Sequence, residues 1–254
     1  MGQGRASNYS GESARMEPSD PDPSDPPRPA SGLQPARIHE WATLPPRTPL
    51  PRGRSALPPA EVAESQRGRI LHAIVEETAE RGYAATSVQH VTARARVSRT
   101  AFYQHFSNKE DAFATAHLNA SRRLLDIIAE HVAQHADQSW RVQHRAGVTG
   151  YLTAFAGAPS SATAFLVELL SAGDRLLDQR DMILGFSARG LSRLAELAHA
   201  DHPDRPLPSS DVTYALAAAA DALMTREVRA GRTTLLLGCA DEIVAFQAAV
   251  LAGS

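Results

Sequence analysis

At 254 residues and 43% hydrophobic composition the chain is long enough to bury a core, which excludes a wholly disordered polymer. Its formal charge of −2 carries no global mark of a polyanion binder, so any such case rests on where the charges sit. A single cysteine, Cys239, excludes an internal disulfide and a multi-cysteine metal site and fits a reducing compartment.

Residues 1–60 hold 13 of the 17 prolines, mixed with Ser, Gly and Arg, and have few large apolar residues. Such a segment buries too little to offset the entropy of ordering it, and a disordered leader is expected. Met16 and Val62 stand as candidate alternative starts. From about Glu61 helix formers take over with a period of 3.6, and Ile70, Leu71, Ile74, Val75, Thr78 and Ala79 share one face. Gly82 and Tyr83 give a helix stop, glycine taking a left-handed conformation and the next apolar residue folding back.

Ser87 is placed to cap a short second helix, Val88 to about Ala95, and Ser98 to cap a third, Arg99 to about Phe106. Asn108, with Asp111 three residues on, opens a long fourth helix carrying Phe113, Ala116, Ala120, Leu124, Ile127, Ile128 and Val132. Further helices are expected beyond it, with breaks near Asp137, Gly157 to Pro159, His202 to Pro208, and Gly231. The last two, about Asp211 to Ala230 and Thr233 to Ala252, are the most apolar. With no alternating strand pattern, the expectation is an all-α chain: a small three-helix unit at 61–108 on a larger helical body at 109–254.

Between Glu80 and Glu110 there is no acidic residue, while Arg81, Arg94, Arg96, Arg99 and Lys109 fall there. Two short helices joined by a tight turn, the second opening on small and basic residues, are what a major-groove reader requires, because the groove admits one helix. Phe102 and Phe106 share a face and pack inward. Arg99, Thr100, Tyr103, Gln104 and His105 are left outward: Arg99 for a guanine edge or phosphate, Thr100 for a thymine or phosphate, Tyr103 for a phosphate oxygen. Lys109 would reach the backbone.

The run Gly82-Tyr83-Ala84-Ala85-Thr86-Ser87-Val88, then Val91, Ala95, Val97-Ser98, Tyr103, Phe106 and Asn108-Lys109-Glu110-Asp111, resembles the DNA-binding domain of TetR-family transcriptional regulators over about Gln66 to Phe113. The C-terminal half resembles that family more loosely. The resemblance implies a homodimer joined through the last two helices, binding a near-palindromic double-stranded operator, most often as a repressor released by a small-molecule effector in the C-terminal domain. It maps DNA contacts onto Ser87, Gln89, Arg99, Thr100, Tyr103, Gln104, His105 and Lys109. Three departures stand out: Arg96 where the turn usually has glycine, Thr92 where alanine usually packs on the third helix, and His90 in place of an acidic capping residue. They leave one alternative, a helix-turn-helix protein that has lost DNA binding and acts as a dimeric interaction or ligand-binding protein.

No phosphate loop, nucleophile elbow or Cys/His constellation points to an enzyme, and no cofactor is implied. His131 and His135, four apart and near Asp137, are weighed as a metal clamp and set aside as an exposed helix pair. Tyr151, Phe155, Phe165, Met182, Phe186 and Met224 read as core or as the lining of an apolar effector pocket, with Glu168 and Arg175 as a surface pair or as polar guides. The richest apolar stretch, Thr213 to Met224, is short and carries Asp221, so a bilayer span is not expected and the chain reads as a cytoplasmic protein.

Overall fold

The computed structural model describes Met1 and residues 58–201 and 203–252, so the expected leader lies almost wholly outside the described residues. All the described residues but Met1 fall in the unit running from Pro35 to Ser254. Every regular element among them is helical.

The first helix, α1, spans Pro59–Arg81 and opens two residues earlier than expected. Proline suits a first turn, where its missing N–H would have no partner anyway. Its buried face holds Ile70, Leu71, Ile74, Val75 and Thr78. Gly82 ends it at φ 81° with its N–H donating to the Thr78 carbonyl, but its ψ of 151° is extended rather than left-handed helical. A side chain is disfavoured at that φ. Tyr83 then turns inward, its ring 5.2 Å from Phe113.

Helices α2 (Val88–Ala95) and α3 (Arg99–His105) fall within a residue of their expected bounds because local caps define them. Helix α4 (Lys109–Ala133) is opened by the Asn108 side chain accepting the Asp111 N–H. It packs on α5 (Trp140–Ala156), where a Cβ at Gly150 would stand 3.0 Å from the His131 ring. Each fully buried apolar side chain here, such as Ile127 or Leu152, contributes about 1.5–3 kcal/mol of transfer free energy.

After Gly157 the chain departs from a regular helix. A short α6 (Pro159–Ala162) widens into a π turn, Thr163–Val167, and tightens into a 3-10 turn, Glu168–Ser171. Within the wide turn three successive residues, Ala164, Phe165 and Leu166, are buried. Gly173 at φ 99° leads into α7 (Asp174–Asp201), and Ser209 caps α8 (Ser210–Arg229).

The final expected helix is in two parts: a 3-10 segment, Thr233–Cys239, and α9, Ala240–Leu251. Together they correct the expectation on apolar length. An 18-residue window within Thr233–Leu251 has a mean hydropathy of 1.6, enough by length and composition to cross a bilayer, and only 22% of that window is buried. Asp241 and Glu242 sit in its middle, where each charge would be costly in hydrocarbon. Leu235, Leu237 and Val250 are exposed along it.

Candidate nucleic-acid interface and internal cavity

The turn between α2 and α3 is set by reciprocal local bonds. Ser87 Oγ accepts the His90 N–H and His90 Nδ1 accepts the Ser87 N–H, both at 3.3 Å. This is a capping box with an imidazole nitrogen in place of a carboxylate oxygen. Ser98 Oγ accepts the Ala101 N–H at 3.0 Å, opening α3. Between them Arg96 adopts φ 53°, ψ 47°, the left-handed position expected of glycine, at a cost of about 1 kcal/mol. Thr92, buried beneath, donates its hydroxyl to the Gln89 carbonyl at 3.1 Å. All three departures in the motif are thus absorbed with the turn intact.

On α3, Ala101 and Phe102 are buried while Arg99, Thr100, Tyr103 and Gln104 are exposed and His105 is half-buried. Phe102 and Phe106 lie 5.9 Å apart, and the Arg67 guanidinium from α1 stands 5.4 Å over Phe106. Nothing in the spacing of α1 singled out Arg67. Gln89 is exposed on α2, whereas the Ser87 hydroxyl is held by its cap.

The other basic residues of this window are partly engaged. Lys109 Nζ donates to the carbonyls of Tyr83 at 2.7 Å and Thr86 at 2.8 Å and sits 4.3 Å over the Tyr83 ring. Burial holds its pKa below the usual lysine range. Arg94 turns back to α1, where it pairs with Glu77 at 2.6 Å and with Glu80. Burial pushes the Glu77 carboxyl up, but hydrogen bonds and charge from Arg81 and Arg94 outweigh it and leave the pKa below the ordinary value. The acid-free run in the sequence is therefore not acid-free in space. Arg94 is neutralised from the preceding helix, while Arg96 and Arg99 are exposed and without an ion pair among the described residues.

The body holds an internal cavity of about 340 Å³ between α4, α5, α7, α8 and α9. Leu125, Ile128, Val132, Val148, Leu184 and Leu191 form much of its apolar wall. Tyr151 and Phe186 of the expected lining set reach it, while Phe155 and Phe165 line a smaller adjoining cavity of about 50 Å³. Met224 is fully buried in the core and Met182 is exposed.

Two polar clusters border these spaces. Asp221, buried on α8, accepts the Tyr151 hydroxyl at 3.2 Å and an Arg180 N–H at 2.6 Å. Burial and the Asp221 carboxylate raise the Tyr151 pKa well above the ordinary value. The Gln247 amide N–H donates to the Leu216 carbonyl at 3.1 Å, which turns its oxygen toward His144 Nε2 at 2.8 Å. His144 is then the Nε2–H tautomer, its pKa is lowered by burial, and its Nδ1 has no partner among the described residues.

Glu168 and Arg175 do not pair with each other. Each reaches back to the N-terminal helices: Glu168 accepts the Tyr83 N–H at 2.9 Å, and Arg175 bonds Asp111 at 3.4 Å. Asp111 is itself held ionised by the Ser107 backbone N–H. His131 directs Nδ1 to the Ile127 carbonyl at 2.8 Å, and His135, which lies in the turn beyond the end of α4 and not on the helix as expected, directs Nδ1 to the His131 carbonyl at 2.9 Å.

A capped helix-turn-helix with an exposed α3, set on a helical body with an apolar cavity, is the architecture by which a regulator reads DNA. Residues 70–116 match the model of the family described as bacterial regulatory proteins, tetR family. The head of the chain is thus similar to the DNA-binding domain of tetR-family regulators over those residues. No curated protein sequence matches the chain.

Among solved structures, the fatty acid degradation regulator FadR from Bacillus halodurans has a similar fold, with a TM-score of 0.65 and 17% identity over 72% of this chain and 94% of that one. FadR from Bacillus subtilis, solved in complex with stearoyl-CoA, gives 0.60 and 17% over 70% and 96%. A tetR-family regulatory protein from Rhodococcus RHA1 gives 0.59 and 22% over 74% and 98%.

Proposed function

We propose that the protein represses transcription by binding a near-palindromic operator as a homodimer, and that an apolar or amphipathic effector in the cavity releases it. The observation that carries the DNA reading is α3 itself: Arg99, Thr100, Tyr103 and Gln104 lie exposed on one short helix whose opposite face is anchored by Phe102. In this reading Arg99 reads a base edge, Thr100, Tyr103, Gln104 and His105 complete the groove contact, and Gln89 and the Ser87 region flank it. Lys109 serves first as a clamp on the turn at Tyr83 to Thr86, with phosphate attraction through its charge rather than a free N–H. The unit at 61–108 is the DNA-binding domain and 109–254 the effector and dimer domain.

The dimer seam is the exposed apolar side of Thr233–Leu251 with the alanine-rich α8, since a monomer rarely leaves so long an apolar stretch uncovered. The stearoyl-CoA bound to Bacillus subtilis FadR supports an amphipathic effector for this shape of body. The effector must bind one spacing of the two heads better than the other, or it shifts nothing.

The test is selection of bound DNA from a random pool by purified full-length protein, repeated at rising salt. An inverted repeat with half-sites roughly 34 Å apart, bound less tightly as salt rises, is the expected result. Recovery of only unrelated sequences, or binding unaltered by Arg99→Ala, overturns the reading and favours the dimeric ligand-binding alternative.

A further inference from the structure

The effector cavity, if the reading above is right, has a charged mouth. Among its lining residues, Ala129 of α4 and Phe186, Gly190, Arg193 and Leu197 of α7 are exposed, which marks where the space meets solvent. Arg193 is the only lining residue with a permanent charge, and no carboxylate lines the cavity. Beside it, the Arg189 guanidinium lies 4.2 Å over the Phe186 ring. Arg189 does not itself line the cavity, but stacking on the lining Phe186 ring holds its cation next to the rim without neutralising it.

Neither arginine has an ion-pair partner among the described residues, in contrast to Arg180, whose charge is taken by Asp221. The carboxylates nearby in sequence do not fill the gap. Glu196 lies one turn beyond Arg193 and pairs with neither arginine. On α4, Glu130 is held by Arg123 at 3.3 Å, and Asp126 forms no ion pair among the described residues.

An apolar interior that ends at two uncompensated guanidinium groups and an aromatic ring is complementary to one kind of molecule. We propose that the effector is an amphipathic anion: an acyl chain that fills the cavity, with a carboxylate or phosphate-bearing head held at the rim by Arg189 and Arg193. The same chemistry is offered by a free fatty acid and by an acyl thioester of a phosphorylated carrier.

The experiment is calorimetric titration of the full-length protein with laurate, dodecanol and lauroyl-coenzyme A below their aggregation limits, repeated with the Arg189→Gln/Arg193→Gln double variant. Both side chains are exposed, so the variant is expected to melt with the parent, and a melting curve checks it. Laurate or lauroyl-coenzyme A should bind roughly tenfold more tightly than dodecanol, as a charge-assisted contact requires, and the variant should bring the anion down to the alcohol. Whichever anion binds tighter identifies the source.

Equal binding of laurate, lauroyl-coenzyme A and dodecanol to the parent overturns the anionic head while leaving the cavity reading in place. Preference for an anion that survives in the variant overturns the placement at Arg189 and Arg193. Failure of all three to bind removes the apolar-effector reading and this inference with it.

Discussion

Arg94→Ala tests whether the second helix is held to the first by a buried carboxylate rather than by its apolar face alone. The Glu77 side chain is 5% exposed and shared between Arg94 at 2.6 Å and the half-exposed Arg81 at 2.6 Å. Removing Arg94 leaves one buried carboxylate oxygen without its partner. A fully buried broken pair costs about 3–5 kcal/mol, and the remaining Arg81 contact and the partial exposure of Arg94 reduce this to about 2 kcal/mol. The contacts of Arg94 with Glu80 and Glu76 add little, because Glu80 is half-exposed and Glu76 lies at 3.9 Å.

Thermal denaturation followed by circular dichroism should therefore show a loss of roughly 4–8 °C for Arg94→Ala, and roughly 1–2 °C at most for Glu80→Ala. The pH dependence supplies an independent sign. Glu77 has a folded pKa below its ordinary 4.5, so it stabilises the fold above that value and loses the contribution as pH falls through the folded pKa. Without Arg94 burial prevails and the pKa rises, so the gap between parent and variant should narrow below about pH 4.5. Equal losses for Arg94→Ala and Glu80→Ala, or a gap that does not change on acidification, would refute the reasoning.

His90→Glu restores a negative capping residue at the start of α2 and should raise the melting temperature by the equivalent of about 0.5–1 kcal/mol; an unchanged or lower value would show that the imidazole cap is already as good. Arg96→Gly relieves the left-handed strain of about 1 kcal/mol but adds unfolded-state entropy of about 0.5–1 kcal/mol, so stability should move little, and a large loss would mean the Arg96 side chain anchors the turn. His117 and His144 both have pKa values lowered by burial, so they stabilise the fold above the ordinary histidine pKa near 6.5 and that contribution is lost as pH falls; His144→Gln should flatten the acid side of a stability–pH curve. Glu168→Ala removes the acceptor of the Tyr83 N–H, so hydrogen exchange at that amide should speed up by at least roughly tenfold if the bond is what protects it.

What was legible in the sequence followed from short-range chemistry. Ser87, Ser98 and Asn108 each cap through their own backbone neighbours, so α2, α3 and the start of α4 could be placed to within a residue. The π and 3-10 turns after Pro159 could not, because no local cap marks them and the segment Ala164 to Leu166 is packed against α1 and α8, which are distant in sequence. Arg94 likewise looked free in a run without acids, since Glu77 is 17 residues away in sequence. The cavity was half legible: aromatic spacing marked Tyr151 and Phe186, but nothing local distinguishes them from Met224, which packs into the core. Glu168 and Arg175 were noticed as charges, yet their partners Tyr83 and Asp111 are 85 and 64 residues away and no local rule pairs them.

Those two long-range contacts matter for how a regulator of this shape can work, because a cavity in the body is of use only if its occupancy is felt at α3. The turn that carries Tyr83 is gripped from both sides. Lys109 holds its carbonyls from α4, and Glu168 holds its N–H from the 3-10 turn. A Cβ at Gly82 would stand 3.1 Å from the Glu168 carboxylate, so glycine here serves the grip as well as the backbone angle. The rings of Tyr83, Phe113, Phe165 and His117 follow one another at 5.2, 5.7 and 5.3 Å, and Phe165 and His117 line the inner cavity. A π turn beside such a stack is a segment with a nearby alternative, since it can revert to a regular helix by shifting one residue. Such a shift would change which of residues 164–166 is buried and move Glu168 with respect to Tyr83. Glu168 and Lys109, which grip that turn, line neither cavity; the stacked Phe165 and His117, which border the smaller one, are the link from the turn to the space beside the main cavity.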